Sequence, residues 1–247
     1  MTTKVAVVGA TGKLGAVAVR LIESADDLEL FAALDSRSPL SDMDGADIVF
    51  DATVPAASQE IVEHAIGAGL NVLVGTSGWS NDRITKIDRA IAATPSVGVV
   101  FVPNFSIGSV LATSFAAMAA RFYDSIEIVE AHGATKVDSP SGTAVRTAEL
   151  IGAARQANGP VIAPHADQRA RGQQVSSVPI HSLRMKGIVA KQDVVFGGNG
   201  EVLTLSHETI DSSSYELGLL VGLRATAAAR GVTVGLDKLI DLGAAAE

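Results

Sequence analysis

Short apolar runs alternate with helical patterns over the first hundred residues. Runs rich in Val, Ile, Leu and Phe are followed by segments in which apolar residues recur every three or four positions. Buried strands that alternate with helices form a parallel sheet with crossover helices. The sequence therefore predicts an α/β domain with strands at residues 4–8, 28–34, 47–51, 71–74 and 96–102.

The pattern changes after about residue 104. A helix is predicted over residues 107–122, and an alternating, β-branched run at 126–130 predicts a strand before a helix at 143–155. Residues 156–177 show no clear period and predict a long, mobile loop. Further strands are predicted at 179–186, 188–196 and 201–207, the last two as a hairpin, before a helix at about 214–230 and a short closing segment at 232–240.

Glycines mark the turn between the first strand and the first helix. Gly9, Gly12 and Gly15 permit a tight turn, close approach of a pyrophosphate to backbone N–H groups, and close packing of helix on strand. This is the setting of a Rossmann-type dinucleotide site, although the spacing also suits a plain glycine-rich connector. The predicted pyrophosphate contacts are Gly9, Ala10, Thr11, Gly12, Lys13, Leu14 and Gly15.

An acidic residue follows the second predicted strand. Asp35 lies twenty residues past Gly15 and is suited to accept a hydrogen bond from a ribose 2′-hydroxyl. Arg37 is suited instead to pair with a 2′-phosphate, although it could equally be a solvated loop charge. The sequence therefore leaves NADH and NADPH open, and we expect both to be usable.

The ends of the later strands also carry small polar residues. Ligands of open α/β sheets lie at the carboxyl ends of the strands, so these residues are predicted to border the cofactor's nicotinamide and ribose. As isolated motifs they would be ordinary turns. The predicted contacts are Thr53, Gly75, Thr76, Ser77, Pro103, Asn104 and Phe105.

The composition favours a protein that acts on small molecules. The 247 residues carry a formal net charge of −8 with a pI near 5.1, which gives no general attraction to nucleic acid or anionic lipid. There is no cysteine, and no two of the five histidines have metal-ligand spacing on one helix, so no metal site is predicted. We expect a cytoplasmic protein without membrane contact. Because alternating strands leave one sheet face for another copy, we also expect self-association.

Residues 130–144 combine three chemical functions in one stretch. His132, at the end of a predicted strand, is a candidate proton donor, and Lys136 supplies a positive charge. The Pro-Ser-Gly-Thr turn that begins the next helix offers unpaired N–H groups and the positive end of a helix dipole. Ser141, Gly142 and Thr143 are therefore predicted to bind a carboxylate of the substrate. By contrast, His64, His181 and His207 are predicted to be ordinary helix and sheet residues.

These motifs together resemble the 4-hydroxy-tetrahydrodipicolinate reductase family, also called dihydrodipicolinate reductases. The most specific match is residues 136–144, Lys-Val-Asp-Ser-Pro-Ser-Gly-Thr-Ala, and the likeness runs nearly the whole chain. The resemblance implies a homotetramer in lysine and diaminopimelate biosynthesis. It also implies an NAD(P)H-binding Rossmann domain of residues 1–104 plus about 214–247. An α+β domain of about 105–213, with a mixed open sheet, would bind the substrate and form the tetramer. His132 then matches the family's acid/base histidine and Lys136 its catalytic lysine.

Three positions depart from the family pattern. Gly133 replaces a second histidine that contacts the substrate, Lys191 stands where the family tends to carry histidine, and Ser212 stands where it tends to carry arginine. Loss of one charge-assisted hydrogen bond to a dicarboxylate costs about 1.5–3 kcal/mol. Two alternatives therefore stand beside the reductase: a diverged imine reductase with a different cyclic substrate, and a non-catalytic NAD(P)-binding protein.

Overall fold

The computed structural model describes residues 2–240, which form two compact units. Residues up to Ile107 and from Tyr215 onward make the first unit, and Gly108–Ser214 make the second. No helix within residues 2–240 is both long and apolar enough to cross a membrane.

The first unit is built on a six-stranded parallel sheet. Its strands are β1 (Thr3–Val8), β2 (Leu28–Leu34), β3 (Ile48–Asp51), β4 (Asn71–Val74), β5 (Gly98–Phe101) and β11 (Gly231–Val234). Its helices are α1 (Lys13–Ser24), α2 (Pro55–Gly67), α3 (Asn81–Ile91) and α6 (Glu216–Ala227). The strand order is β11-β5-β4-β3-β1-β2, and the prediction of a Rossmann-type parallel sheet is confirmed.

Burial on both faces explains the continuous apolar runs of the central strands. All four residues of β3, β4 and β5 are buried, so no position is left for a polar, solvent-facing side chain. Helix α6 comes close to this core because Gly218 has no side chain. A Cβ at that position would lie 1.9 Å from the carbonyl oxygen of Phe105. The C-terminal part of the chain is thereby joined to the first unit.

The second unit is built on a five-stranded mixed sheet, in agreement with the predicted fold class. Its strands are β6 (Ser125–Gly133), β7 (Gln173–Val175), β8 (Val178–Met185), β9 (Ala190–Gly198) and β10 (Glu201–Thr209), and they lie in the order β10-β9-β6-β8-β7. Its helices are α4 (Ile107–Ala119) and α5 (Gly142–Ala154). Strands β6 and β8 are parallel neighbours, and the remaining neighbours are antiparallel.

One face of the mixed sheet carries the apolar core. Ile126 and Ile128 of β6 are buried in a cluster with Ala116 of α4, Ala148 and Ile151 of α5. Because side chains alternate along a strand, the next two residues on this face are Glu130 and His132. The face of β6 that packs in the apolar core therefore continues, at Glu130 and His132, into a polar cluster.

The predicted loop at 156–177 is only partly correct. It contains a 3₁₀ turn at Arg169–Arg171 and the short edge strand β7, which pairs antiparallel with β8. The residues that join the two strands, Ser176 and Ser177, have positive φ angles of 48° and 68°. Asn and Gly usually mark such a turn, so two serines gave no signal of a hairpin.

Candidate active site

The turn from β1 to α1 depends on close backbone contacts. Gly9 has a φ of 85°, and a Cβ on Gly15 would lie 2.1 Å from the Gly9 carbonyl oxygen. Gly12 is the N-cap residue of α1, and its N–H donates to the Gly9 carbonyl at 3.0 Å. Thr11 and Lys13 beside it are exposed. The turn therefore presents a helix N-terminus that fits a pyrophosphate.

The glycine turn is tied to the end of β2, where Asp35 and Arg37 lie. The N–H groups of Gly9 and Ala10 both donate to the carbonyl of Leu34, at 2.9 and 3.0 Å. Arg37 Nη2 lies 2.8 Å from Asp35 Oδ2, and the Arg37 N–H donates to Oδ1 at 2.8 Å. The side-chain hydrogen bond from Arg37 is the main reason that the pKa of Asp35 falls to about 2. An ionised acceptor and a guanidinium thus lie side by side, one suited to a ribose hydroxyl and the other to a 2′-phosphate.

Asp51, which the sequence reasoning missed, organises the ends of β3 and β4. Its fully buried carboxylate accepts from the Thr53 N–H at 3.0 Å, from the Thr53 hydroxyl at 2.5 Å and from the Thr76 hydroxyl at 3.0 Å. It also accepts from the Ser58 hydroxyl. The sequence signal for this role was an acidic residue at the end of an otherwise apolar strand. The two threonines predicted to border the cofactor are held together by this carboxylate.

The remaining predicted cofactor residues divide into a packed group and an open group. A Cβ on Gly75 would lie 3.0 Å from the rings of Phe105 and Phe50, and 3.2 Å from Leu14. Phe105 is 3% exposed and meets Phe50 edge to face, so its ring supports the edge of the sheet from inside. The residues nearer the surface are Ser77 and Pro103, which are exposed, and Asn104, whose Oδ1 accepts the Ser106 N–H at 2.9 Å.

In the second unit, His132 lies against a buried carboxylate. His132 Nδ1 is 2.6 Å from Oε2 of Glu130, which is fully buried. Arg184 of β8, the register partner of His132, donates to both oxygens of Glu130 at 2.9 and 2.8 Å. Burial raises the pKa of Glu130, but hydrogen bonds, foremost from Arg184 and then from Ser182 and His132, bring it below its ordinary value. Glu130 is therefore an ionised hydrogen-bond acceptor.

Lys136 follows β6 in a short turn. Its N–H donates to the Gly133 carbonyl at 3.0 Å, and its Nζ lies 2.8 Å from Oδ1 of Asp138. The hydrogen bond from Lys136 is the main reason that the pKa of Asp138 is lowered. The lysine charge is thus placed as predicted between β6 and α5, with a carboxylate already beside it.

The predicted anion turn forms the start of α5. Ser141 is buried and is the N-cap residue, since its hydroxyl accepts the Ala144 N–H at 3.2 Å. Its own N–H donates to Glu130 Oε1 at 3.2 Å. Gly142 and Thr143 are the first residues of the helix, and a Cβ on Gly142 would meet no atom within 4 Å. The positive end of the α5 dipole therefore faces open space at Gly142.

The three family departures lie in different environments. A Cβ on Gly133 would lie 3.3 Å from the Ile188 carbonyl oxygen, so a side chain there needs a small backbone shift. Lys191 lies on the sheet face opposite to Glu130 and forms an ion pair with Asp193 at 3.4 Å. The residue of β9 beside Glu130 is Gln192, which is buried and donates to the Thr147 hydroxyl at 3.0 Å.

Ser212 begins a 3₁₀ turn that ends at Tyr215. The side chain of Asp211 next to it accepts the Ser213 N–H at 2.8 Å. Across residues 2–240, no group of three or more His, Cys, Asp or Glu side chains is placed to hold a metal ion.

The fold defines an NAD(P)-dependent oxidoreductase whose first unit is the NAD(P)-binding domain. Two family models match almost the whole chain. The model described as "Dihydrodipicolinate reductase, N-terminus" matches residues 3–105, and "Dihydrodipicolinate reductase, C-terminus" matches residues 108–240. The chain belongs to the dihydrodipicolinate reductase family.

Similar proteins carry the corresponding names. A 4-hydroxy-tetrahydrodipicolinate reductase of Clavibacter sepedonicus is 67% identical over all of this chain and 89% of the relative. One from Streptomyces griseus is 44% identical over 97% of this chain and 98% of the relative. A solved structure, dipicolinate-bound dihydrodipicolinate reductase from Paenisporosarcina sp. TG-14, superposes with a TM-score of 0.83 at 26% identity, covering 97% of this chain and 100% of that one.

Proposed function

We propose that this chain reduces 4-hydroxy-tetrahydrodipicolinate with NADH or NADPH in lysine and diaminopimelate biosynthesis. The observation that carries the proposal is the cluster in the second unit, where His132, its buried carboxylate partner Glu130 and the start of α5 are hydrogen-bonded together. The family supports it, because the curated relatives bear the name of this activity. The solved relative bound dipicolinate, a cyclic dicarboxylate.

The first unit binds the cofactor in this proposal. The N-terminus of α1 at Gly12 would hold the pyrophosphate, and Asp35 or Arg37 would contact the adenosine ribose. Thr53 and Thr76, which are held by Asp51, would border the nicotinamide end. NAD(P)H, when bound, supplies a hydride from its nicotinamide ring.

The second unit holds the substrate and supplies the proton. Lys136 and the N-terminal N–H groups of α5, at Gly142 and Thr143, bind a substrate carboxylate. His132 then donates a proton from its ring, alone or together with Lys136, and regains one from solvent. The 4-hydroxyl group of the substrate leaves as water, which gives the conjugated cyclic imine. One hydride and one proton are then added to that imine, so atoms, charge and electrons balance.

The wild-type protein tests this function directly. The purified chain is expected to oxidise NADH or NADPH only when the products of dihydrodipicolinate synthase are supplied. Inactivity in that assay, with cofactor binding intact, would overturn the proposal. A panel of less acidic cyclic imines covers the diverged-reductase alternative, which no relative described above supports.

Self-association through the mixed sheet is a further part of the proposal. Leu183 and Met185 of β8 and Val202 of β10 lie on the sheet face opposite to the Ile126 cluster, and are 45%, 50% and 70% exposed. Such an apolar face suits a second copy of the chain, and the expected assembly is a homotetramer. Light scattering should show a tetramer that Val202→Lys weakens. A wild-type monomer at assay concentration would contradict it.

The cytoplasmic location belongs to the same proposal, because the reaction must draw on the cell's pool of NAD(P)H. Cell fractionation should place the chain with cytoplasmic markers. Its recovery with membranes would contradict that location.

A further inference from the structure

Glu130 contacts both parts of the proposed reaction centre. Its Oε2 lies 2.6 Å from His132 Nδ1, and its Oε1 accepts the backbone N–H of Ser141 at 3.2 Å. Ser141 is the N-cap residue of α5, whose first turn is the proposed carboxylate site. A single buried side chain therefore touches the proton donor and the turn that begins the anion site.

Arg184 fixes this carboxylate in place. The two guanidinium nitrogens donate to both oxygens of Glu130, and Nη2 also donates to the Asp138 carbonyl at 2.6 Å. The paired geometry restricts rotation of the carboxylate and ties it to the loop that carries Lys136. Since the carboxylate is ionised, it has no proton to donate, and His132 must place its own proton on Nδ1.

We propose that Glu130 is a positioning residue for the reduction. It holds the Nδ1–H of the His132 ring, which leaves Nε2 as the acid/base atom. Nε2 carries the proton that goes to the substrate, and the ring that remains after this transfer is the neutral Nδ1–H tautomer. Glu130 also fixes the start of α5 through the Ser141 N–H. This inference rests on the proposed function, because a positioning role has meaning only if His132 transfers a proton to the substrate.

The same strand provides a matched control. Glu127 of β6, on the opposite face of the sheet, also contacts a histidine and an arginine: His181 Nε2 lies 2.7 Å from its Oε2, and Arg171 donates to both of its oxygens. Glu127→Gln therefore removes the same charge from a similar group without touching His132 or α5.

Kinetics separate a positioning role from a structural one. Glu130→Gln is expected to lower kcat by roughly 10²-fold, the lower range of acid/base contributions, and to raise KM for the substrate several-fold. His132→Gln should lower kcat similarly with little change in KM. Both substitutions disable the same proton transfer, because Glu130 acts through His132. The double variant Glu130→Gln/His132→Gln should therefore have the kcat of His132→Gln within about twofold. Glu127→Gln should keep wild-type kcat and KM, and Glu130→Asp should recover part of the lost kcat.

A spectroscopic measurement on the wild-type protein reports the His132 tautomer without requiring any variant to be active. In wild-type protein with ¹⁵N-labelled histidine, the His132 signals, assigned by their absence in His132→Gln, should show the proton on Nδ1. A neutral His132 ring with its proton on Nε2 instead of Nδ1, or wild-type kcat in folded Glu130→Gln, would overturn the inference. If instead the wild-type protein does not reduce the substrate while His132 shows the Nδ1–H tautomer, the proposed function has failed and the geometry of Glu130 stands.

Discussion

Lys136 and Asp138 form an ion pair within the loop that connects β6 to α5, with Nζ 2.8 Å from Oδ1. The pair holds the lysine charge in the loop that leads to the N-terminus of α5. Asp138 partly neutralises the lysine charge in this loop. A substrate carboxylate bound there would replace Asp138 as the partner of Lys136.

Removal of the lysine charge should weaken substrate binding. Lys136→Met is expected to raise KM for the substrate about ten- to a hundredfold, since one charge-assisted hydrogen bond is worth about 1.5–3 kcal/mol. Steady-state kinetics at saturating NADPH measure this. Lys191→Met removes a lysine that pairs with Asp193 on the opposite sheet face and is the control. Equal KM values for the two variants would remove Lys136 from the carboxylate site.

The buried pair of Arg184 and Glu130 predicts a large loss of stability when it is broken. Arg184→Met leaves the fully buried Glu130 without its main partner, at a cost of about 3–5 kcal/mol in the free energy of unfolding. Arg171→Met, which breaks the more exposed pair with Glu127, should cost about 1 kcal/mol or less. Urea denaturation at neutral pH compares the two. Similar losses of unfolding free energy in the two variants would show that the burial of Glu130 does not make its ion pair more important for stability than that of Glu127.

The same pair sets a pH dependence with a defined sign. The pKa of Glu130 is lower in the folded state than its unfolded value of about 4.3. Its ionisation therefore stabilises the fold above that unfolded value, and the contribution is lost as pH falls through the folded-state pKa. In Arg184→Met, Glu130 loses the hydrogen bond that does most to lower its pKa, so this pKa rises and the decline in unfolding free energy should begin at higher pH. An unchanged pH profile in that variant would contradict this account.

Arg37 is expected to discriminate between the two cofactors. Its guanidinium lies beside Asp35, whose pKa of about 2 keeps the carboxylate ionised throughout the assay range. Arg37→Ala should raise KM for NADPH more than KM for NADH, because only NADPH carries the 2′-phosphate. Parallel titrations of the two cofactors from pH 6 to pH 9 measure the ratio of the two KM values. Asp35 stays ionised over this whole range, so it should contribute no pH dependence to that ratio. An equal effect on both KM values would show that Arg37 is a solvated loop charge that does not select between the cofactors.

Asp51 should influence the cofactor without touching the substrate site. The Asp51 carboxylate accepts four hydrogen bonds. In Asp51→Asn, one of the two oxygen acceptors is replaced by an NH2 donor, so the side chain no longer holds Thr53 and Thr76 together. We expect KM for NADPH to rise about tenfold, the equivalent of roughly one charge-assisted hydrogen bond, with KM for the substrate unchanged. Asp47→Asn, which affects the exposed amino end of β3, is the control. Unchanged cofactor binding in Asp51→Asn would separate Asp51 from the cofactor edge.

The sequence was most informative where local pattern and burial coincide. The apolar runs of the parallel strands and the glycines at 9, 12 and 15 predicted the first unit, because such strands are buried on both faces. The same pattern could not predict β11, a four-residue strand that exists only through its parallel pairing with β5. Its signal was a short closing segment without a distinctive period.

The site residues that are close together in the sequence could be predicted, but contacts between residues far apart in the sequence could not. His132, Lys136 and the start of α5 are within twelve residues and share one motif. Arg184 lies 54 residues from Glu130, and their contact depends on the parallel register of β6 and β8. Gln192 shows the same limit. It shares a sheet face with Glu130, whereas its neighbour Lys191 points the other way, and a one-residue difference in register decides between them.

The comparison of His132→Gln with His181→Gln tests the central claim most directly. Both histidines lie on the mixed sheet and pair with a glutamate of β6, at 2.6 Å for His132 and 2.7 Å for His181, on opposite faces. With synthase-supplied substrate and either NADH or NADPH, His132→Gln should lose about 10²-fold in kcat with little change in cofactor affinity. His181→Gln should keep wild-type kcat. Equal turnover of His132→Gln and wild type would contradict the assignment of His132 as the proton donor.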